Sequence, residues 1–600
     1  LERLLVRQDV QPEFTWDLES VYPTNEAWEQ DYHKVTALIP GLEGFRGKLG
    51  ESGSVLLAAL KVRDEIYKLL WQVAVYAGMR RDENTADNTY QAMSDRSMSL
   101  SVRVRSAGSY MTPEILALPT EKLFGFIGQE PELQTYRHEL EDLVREKDHV
   151  RSQEIEELLA QGSEVGAAPN QIFSMFAHAD LKFPKVSDEH GEEVDLTEGR
   201  FARFRESPDR SVRENSFRTL FGTYAKFRNS LAAMHGNSVK KDVFYARARR
   251  YPSARAASLS GNNIPEVVYD NLVSTVNKNL PALHRYVKLR KRLLGLDELH
   301  MWDLYPPMVA EVDKKIPYAE AVQTVLKALE PLGADYTQIA REGLSAGRWV
   351  DVYENEGKRS GAYSGGSYTT KPFILLNYQE NLDSMFTLAH ELGHSMHHYL
   401  YRKHQPFHYG SSTIFVAEVA STFNEALLTD YLLKTTQDKK LRMYLINHSL
   451  ESFRATLYRQ TMFAEFEHLT HQMAEANEAL TAEALCALYY GLNQKYYETE
   501  GMVVDKEIEI EWARIPHFYT PFYVYQYATG ISAAASLSQQ VLREGQPAVQ
   551  RYLEFLKKGD CEYSIDLLKG AGVDMSSPEP VQEALNVFSH MIDEMQAQVS

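Results

Sequence analysis

Cysteine is scarce in this chain: two among 600 residues, Cys486 and Cys561, with no Cys-x-x-Cys pair. That excludes a disulfide-stapled secreted scaffold and fits a reducing compartment. It also excludes a local thiolate zinc finger or redox dithiol. Basic charge is short as well, with 64 Lys and Arg against 83 Asp and Glu, a net of −19. Neutralising phosphates needs a surplus of Lys and Arg, so nucleic acid is not an expected partner. No apolar run approaches the roughly 20 residues of a membrane span. The opening stretch, Leu1 to Asp9, lacks an apolar core of signal-peptide length. The expectation is a large cytoplasmic protein with no membrane partner; lacking an initiating Met, it is expected to miss a few leading residues. Fixed-period repeats and low-complexity segments are absent too.

What is present is the balance of a globular protein, 44% hydrophobic and 24% charged. The length suits roughly three to five ordinary domains, or fewer large ones, and a substantial core. Apolar residues at helical spacing predict helices over 55–79, 84–105, 152–159, 210–234, 265–294, 318–332 and 481–497. Ser52 and Ser54 are candidate caps for the first. Strand signals are few. Residues 181–186 and 192–196 read as a hairpin around a turn at 188–191. A second strand region spans 361–378, glycine-rich at first and then apolar after Pro372. A boundary near residues 180–200 divides a helical domain, 1–190, from a longer one, 191–600, that holds the chemistry.

The decisive run is His390-Glu391-Leu392-Gly393-His394. On a helix, residues four apart share a face, so two imidazoles can grip one metal ion. Zinc accepts neutral imidazoles in tetrahedral geometry, and Glu391 is placed to reach an activated water without ligating. Cobalt or manganese would also fit such donors. The ordinary alternative is two histidines on a solvated face. Asn381 and Asp383 are candidate caps for a helix over 384–398, and Met385, Phe386, Leu388, Ala389 and Leu392 bury it. Gly393 costs about 1 kcal/mol inside a helix relative to Ala, and its place between the two histidines would allow a neighbouring backbone to come close.

A catalytic zinc needs a third protein ligand and an open position. The positions three and six beyond His394 hold His397 and Leu400, not the Gly and His of the metzincin pattern. His397 shares the face but lies about 10 Å along the axis from His390. His404 and His408, in the following loop, read as structural or surface groups. A carboxylate on the next helix, 415–433, is the better source. Glu418 and Glu425, seven apart, flank its apolar stripe, where acids are costly unless paired or metal-bound. Glu418 is the expected ligand, and Glu425 is expected to hold a histidine in place. Farther on, His517 to Tyr527 packs four tyrosines and a histidine into eleven residues. It is either an aromatic core segment or a set of donors for an oxyanion.

Taken together these blocks resemble the thimet oligopeptidase-like zinc metallopeptidases, most closely their oligoendopeptidase F branch. The matching stretches are Gly361-Ala-Tyr363, Pro372 to Tyr378, Thr387 to His394, Phe415 to Ser421, His517-Phe-Tyr519 and Tyr523 to Tyr527, with Trp16-Asp-Leu18 and Ala254 to Ser260 earlier. The resemblance implies a mostly α fold: a helical ellipsoid with a deep substrate channel and a small β-sheet beside the H-E-x-x-H helix. It implies one zinc per chain on His390, His394 and Glu418, with Glu391 as general base and Glu425 behind the ligands. His517 and Tyr525 match the groups that assist the oxyanion, with Tyr523 a further candidate. The edge strand at Gly361, Ala362 and Tyr363 resembles a platform for substrate strands. The implied activity is cleavage of internal bonds in short unfolded peptides, with residues 1–190 as the N-terminal domain and 191–600 as the catalytic one. The rivals are a metallocarboxypeptidase of the same fold and a silent peptide-binding protein. A binding protein would have no need of Glu391, and a purely structural metal would normally be closed by four protein ligands.

Overall fold

The computed structural model describes residues 4–309 and 314–599. Helix takes 71% of it and strand 3%, so the fold is mostly α with small sheets, as expected. The chain forms two compact units, each assembled from separated segments. One comprises Leu1–Lys147, Asp313–Leu432 and Leu537–Gly572; the other comprises Asp148–Val312, Leu433–Ser536 and Val573–Ser600. Among the described residues, no helix is long and apolar enough to cross a membrane.

The first unit opens with helices Asn25–Glu43, Gly53–Glu83 and Asn88–Gly108. Thr24, Ser52 and Asp87 cap them by accepting first-turn N–H groups that have no partner within the helix. Leu56, Leu60, Ile66, Leu100 and Val104 bury their faces in a shared core. A second cluster sets Trp16, Trp28 and Val73 against Phe373 and Leu375 of a three-stranded sheet. In that sheet Phe373–Leu375 lies centrally, parallel to Val350–Asp351 and antiparallel to Tyr363–Gly365. The strand region expected at 361–378 is therefore two strands, and Tyr363–Gly365 lies at the edge. The strand at Val350–Asp351 was not anticipated; two residues are too few to show alternation. The Asp351 carboxylate is buried against Arg7 (2.8 Å) and Lys358 (2.7 Å), and Arg7 also reaches Glu83 (2.7 Å). A buried carboxylate is tolerable only with such partners.

In the second unit the hairpin pairs Lys185–Ser187 with Glu193–Asp195, Val186 opposite Val194; both strands are shorter than anticipated, and the first runs one residue farther, to Ser187. The helix expected at 152–159 continues to Met175. The span 210–234 is broken at Phe227 into Arg210–Ala225 and Arg228–Ala248. The span 265–294 is likewise two helices, Glu266–Lys278 and Leu280–Leu294, parted at Asn279, whose ψ of 11° leaves the helical range. Pro281 then sits in the first turn of the new helix, where its missing N–H costs nothing.

Candidate metal centre

In the first unit, helix Leu382–His404 carries the two histidines. Asn381 caps it by accepting from the Ser384 N–H (2.9 Å), and the Ser384 hydroxyl accepts from the Gln379 N–H (3.0 Å). Arg402, Lys403 and His404 occupy its last turn, where positive charge suits the helix dipole. Met385, Phe386, Leu388, Ala389 and Leu392 are all buried, as expected.

Helix Ile414–Thr435 packs across it. The two backbones meet at Gly393, where a Cβ would lie 2.5 Å from the Ala420 carbonyl oxygen and 2.6 Å from Ser421 Cα. The close approach anticipated for this glycine is present. The Asn424 amide adds a bond to the Ala389 carbonyl (3.2 Å). On the other side, the Ser395 hydroxyl meets that of Ser364 on the edge strand (2.8 Å).

This crossing brings His390, His394 and Glu418 together. One ligand atom from each lies within 4.8 Å of the others, the only such His, Cys, Asp or Glu group among the described residues. Nε2 of His390 and Nε2 of His394 each stand 3.4 Å from the same oxygen, Glu418 Oε2. The Ser421 hydroxyl donates to that oxygen (3.0 Å) and steadies the carboxylate. Glu425, two turns beyond Glu418, accepts from Nδ1 of His390. The seven-residue spacing thus puts two carboxylates on the two nitrogens of one imidazole. With the Nδ1 proton held by Glu425, the Nε2 lone pair is left for a metal.

The electrostatics follow the same geometry. Burial alone would lower the pKa of His390, but Glu418 and Glu425 outweigh it and push it up to about 10. Burial would raise that of Glu418, but bonds from His390 and His394 hold it well below the usual carboxylate range. Two imidazoles and a carboxylate that together seek a positive charge at one point are a fitting donor set for a divalent cation, and His-His-Glu with an open side is a zinc set. Glu391 is buried beside them and does not join the cluster. Its Oε2 is buried with no hydrogen-bond partner among the described residues. Burial raises its pKa, partly opposed by His390 and His394.

The neighbouring histidines stand apart from the cluster. His397 is buried against Tyr401 and Phe555, and burial pulls its pKa down to about 3. His404 bonds the Leu400 carbonyl, and His408 stacks on Tyr136 while meeting Asp64 (3.1 Å). Gly361 adopts a φ of +84° just before the edge strand, and the Asn377 amide donates to its carbonyl (2.8 Å). Ala362 follows. The Tyr363 hydroxyl donates to Asp82 (3.0 Å), so that side chain is engaged within its own unit.

In the second unit, the rings of His517, Tyr523 and Tyr527 gather, with centroids 5.5–6.1 Å apart. Tyr525 is not among them. It is 3% exposed and packs on Tyr269 (centroids 5.1 Å), as the ordinary core reading of this segment allows. The third ring beside His517 is that of Tyr527.

Comparison with known proteins shows the family to which the chain belongs. The profile described as Peptidase family M3 matches residues 203–587, and that described as Oligopeptidase F matches residues 114–183. Oligopeptidase PepF of Bacillus subtilis (strain 168) is 51% identical over 590 residues, covering 98% of this chain and 88% of that one. The crystal structure of oligoendopeptidase-F from Enterococcus faecium superposes with a TM-score of 0.76 at 38% identity, covering 96% of this chain and 99% of the other. A crystal structure from Chlamydophila abortus superposes with a TM-score of 0.93 at 34% identity, covering 99% and 100%. The chain belongs to Peptidase family M3 and is a peptidase of its oligopeptidase F group.

Proposed function

We propose that the protein is a zinc-dependent endopeptidase that cuts internal bonds of short unfolded peptides. The observation that carries this reading is the convergence of His390, His394 and Glu418, with buried Glu391 beside them. His390, His394 and Glu418 would hold the zinc, which when bound supplies a Lewis acid for the scissile carbonyl and makes water more acidic. Glu425 fixes the His390 tautomer. Glu391 takes the proton from the attacking water and passes it to the departing amine nitrogen. Its low exposure keeps bulk water from competing for that proton. The edge strand Tyr363–Gly365 has a free side for an extended peptide to pair with, and backbone pairing of that kind tolerates many side chains. The names of the similar proteins, oligopeptidase and oligoendopeptidase, support short substrates.

The test is mass spectrometry of a mixture of unfolded peptides incubated with the full chain, with and without a zinc chelator. Internal cuts that vanish with chelator and return with zinc are expected. Loss of single residues from the C-terminus would make it a carboxypeptidase instead. Zinc bound at full occupancy with no cleavage would reduce it to a peptide-binding protein.

A further inference from the structure

The second unit holds a cavity of about 20 Å³ lined by Arg205, Arg213, Phe217, Trp302, Tyr305 and Arg459. Roughly 10–15 Å³ is enough to hold one water-sized particle. Three of the wall residues carry buried N–H groups without an acceptor among the described residues: Nε of Arg205, Nε of Arg213 and Nε1 of Trp302. Buried polar groups are nearly always paired, so three orphans around one cavity call for an occupant. Guanidinium and indole groups only donate, so that occupant must accept.

Charge points the same way. Asp303 is shared by Arg210 and Arg213, Glu451 by Arg290 and Arg454, and Glu511 pairs with Arg459. Arg205 has no carboxylate partner among the described residues. Its guanidinium lies over the Tyr305 ring at 4.2 Å, with that of Arg454 at 4.7 Å. Arg205 and Arg213 thus bring two guanidiniums to the cavity wall, and of these only Arg213 has a carboxylate partner among the described residues. Tyr305 lies among these arginines: burial would raise its pKa and Glu511 adds to that, yet Arg459, Arg205 and Arg454 bring it below the ordinary tyrosine value.

We propose that this cavity is a binding site for a single monatomic anion, a halide, held by the N–H groups of Arg205, Arg213 and Trp302. The volume suits one small particle rather than a polyatomic anion such as phosphate. A water would fit and accept, but an anion also answers the positive charge of the two guanidiniums that donate. The cavity wall also includes Ile508 and Glu511 of the turn Lys506–Arg514. The anion thereby ties that turn to helices Arg210–Ala225 and Arg459–Glu475, and its role is that of a structural counter-ion.

The experiment uses the full chain freed of halide. Its unfolding midpoint is followed in sodium chloride or bromide against sodium gluconate at matched ionic strength, and bromide-soaked crystals are measured at the bromine edge. The expected result is a saturable rise in midpoint with halide and an anomalous peak in the cavity. Arg205→Met should raise the half-saturating halide concentration at least tenfold. Trp302→Phe, which removes one donor and keeps an aromatic ring, should raise it severalfold and serves if Arg205→Met does not fold. Equal midpoints in halide and gluconate, a cavity without a bromide peak, or unchanged halide dependence in the folded variants would each overturn the site.

Discussion

Gly393 stands so close to Ala420 that a methyl group on it would lie 2.5 Å from the Ala420 carbonyl oxygen. Since Gly393 sits between the two histidines and Ala420 two residues past Glu418, this contact sets the distance between the three candidate ligands. Gly393→Ala gains up to about 1 kcal/mol of helix propensity, against about 1–3 kcal/mol for overpacking, and the obstacle is backbone that cannot rotate aside. The expected outcome is a lower unfolding midpoint, sub-stoichiometric zinc by elemental analysis and at least about tenfold lower activity. A variant with a higher midpoint and full zinc would show that the helices can part without consequence.

Glu391→Gln keeps the shape of the side chain and removes its basicity. Zinc content should stay that of the wild type, while kcat falls by about 10²–10⁴-fold, the usual worth of a positioned base. Turnover within a few-fold of wild type would take the proton-transfer role away from Glu391.

Glu425→Ala leaves Nδ1 of His390 without its acceptor. Losing such a support typically weakens metal binding by about 10–100-fold. Competition against a chromogenic chelator measures this directly, and Glu425→Gln, which keeps an acceptor oxygen, should fall between Ala and wild type. An affinity equal to wild type in the Ala variant would refute the support role.

Stability should depend on pH through Glu467. Its carboxyl is buried; one oxygen accepts from the Phe522 N–H (2.7 Å), and the other has no partner among the described residues. Burial pushes its pKa up to about 8, against the pull of His471 and the Phe522 N–H. In the unfolded chain the group titrates near 4.3. Between those values the folded state holds a proton that the unfolded state has released, so folding loses stability as pH rises through the window. The contribution is fully present below about 4.3 and is gone above about 8. Glu467→Gln cannot ionise, so its midpoint should gain on that of the wild type as pH goes from 5 to 8. A constant difference across that range would contradict the assignment.

The clustering of His390, His394 and Glu418 was legible because it is a matter of periodicity. Histidines four apart, glutamates seven apart and a capping Asn381 are local patterns, and each has the partner its spacing implies. The mostly helical fold was legible for the same reason. Where a single residue decides the outcome, periodicity misleads: Asn279 parts two helices while the apolar rhythm runs on through it, and Phe227 does the same. Tyr525 and Tyr527 are chemically alike in sequence, and only the turn geometry turns one inward and the other toward His517. The arginine cavity left no pattern at all, because its walls come from stretches up to three hundred residues apart.

The order in which the first unit's segments leave the ribosome has a consequence of its own. Its three opening helices share a core drawn from residues 35 to 140 and can settle early. Yet Arg7 must wait for Asp351, Trp16 for Phe373, and the whole unit for its last segment, ending at Gly572. At about 5–20 residues per second, that is a delay of roughly 20 to 80 seconds. During it, the faces of the early helices that will later meet the sheet are open to solvent and to chaperones. The candidate ligands His390, His394 and Glu418 all lie in the unit's middle segment, so the site they form cannot assemble until that segment has been made.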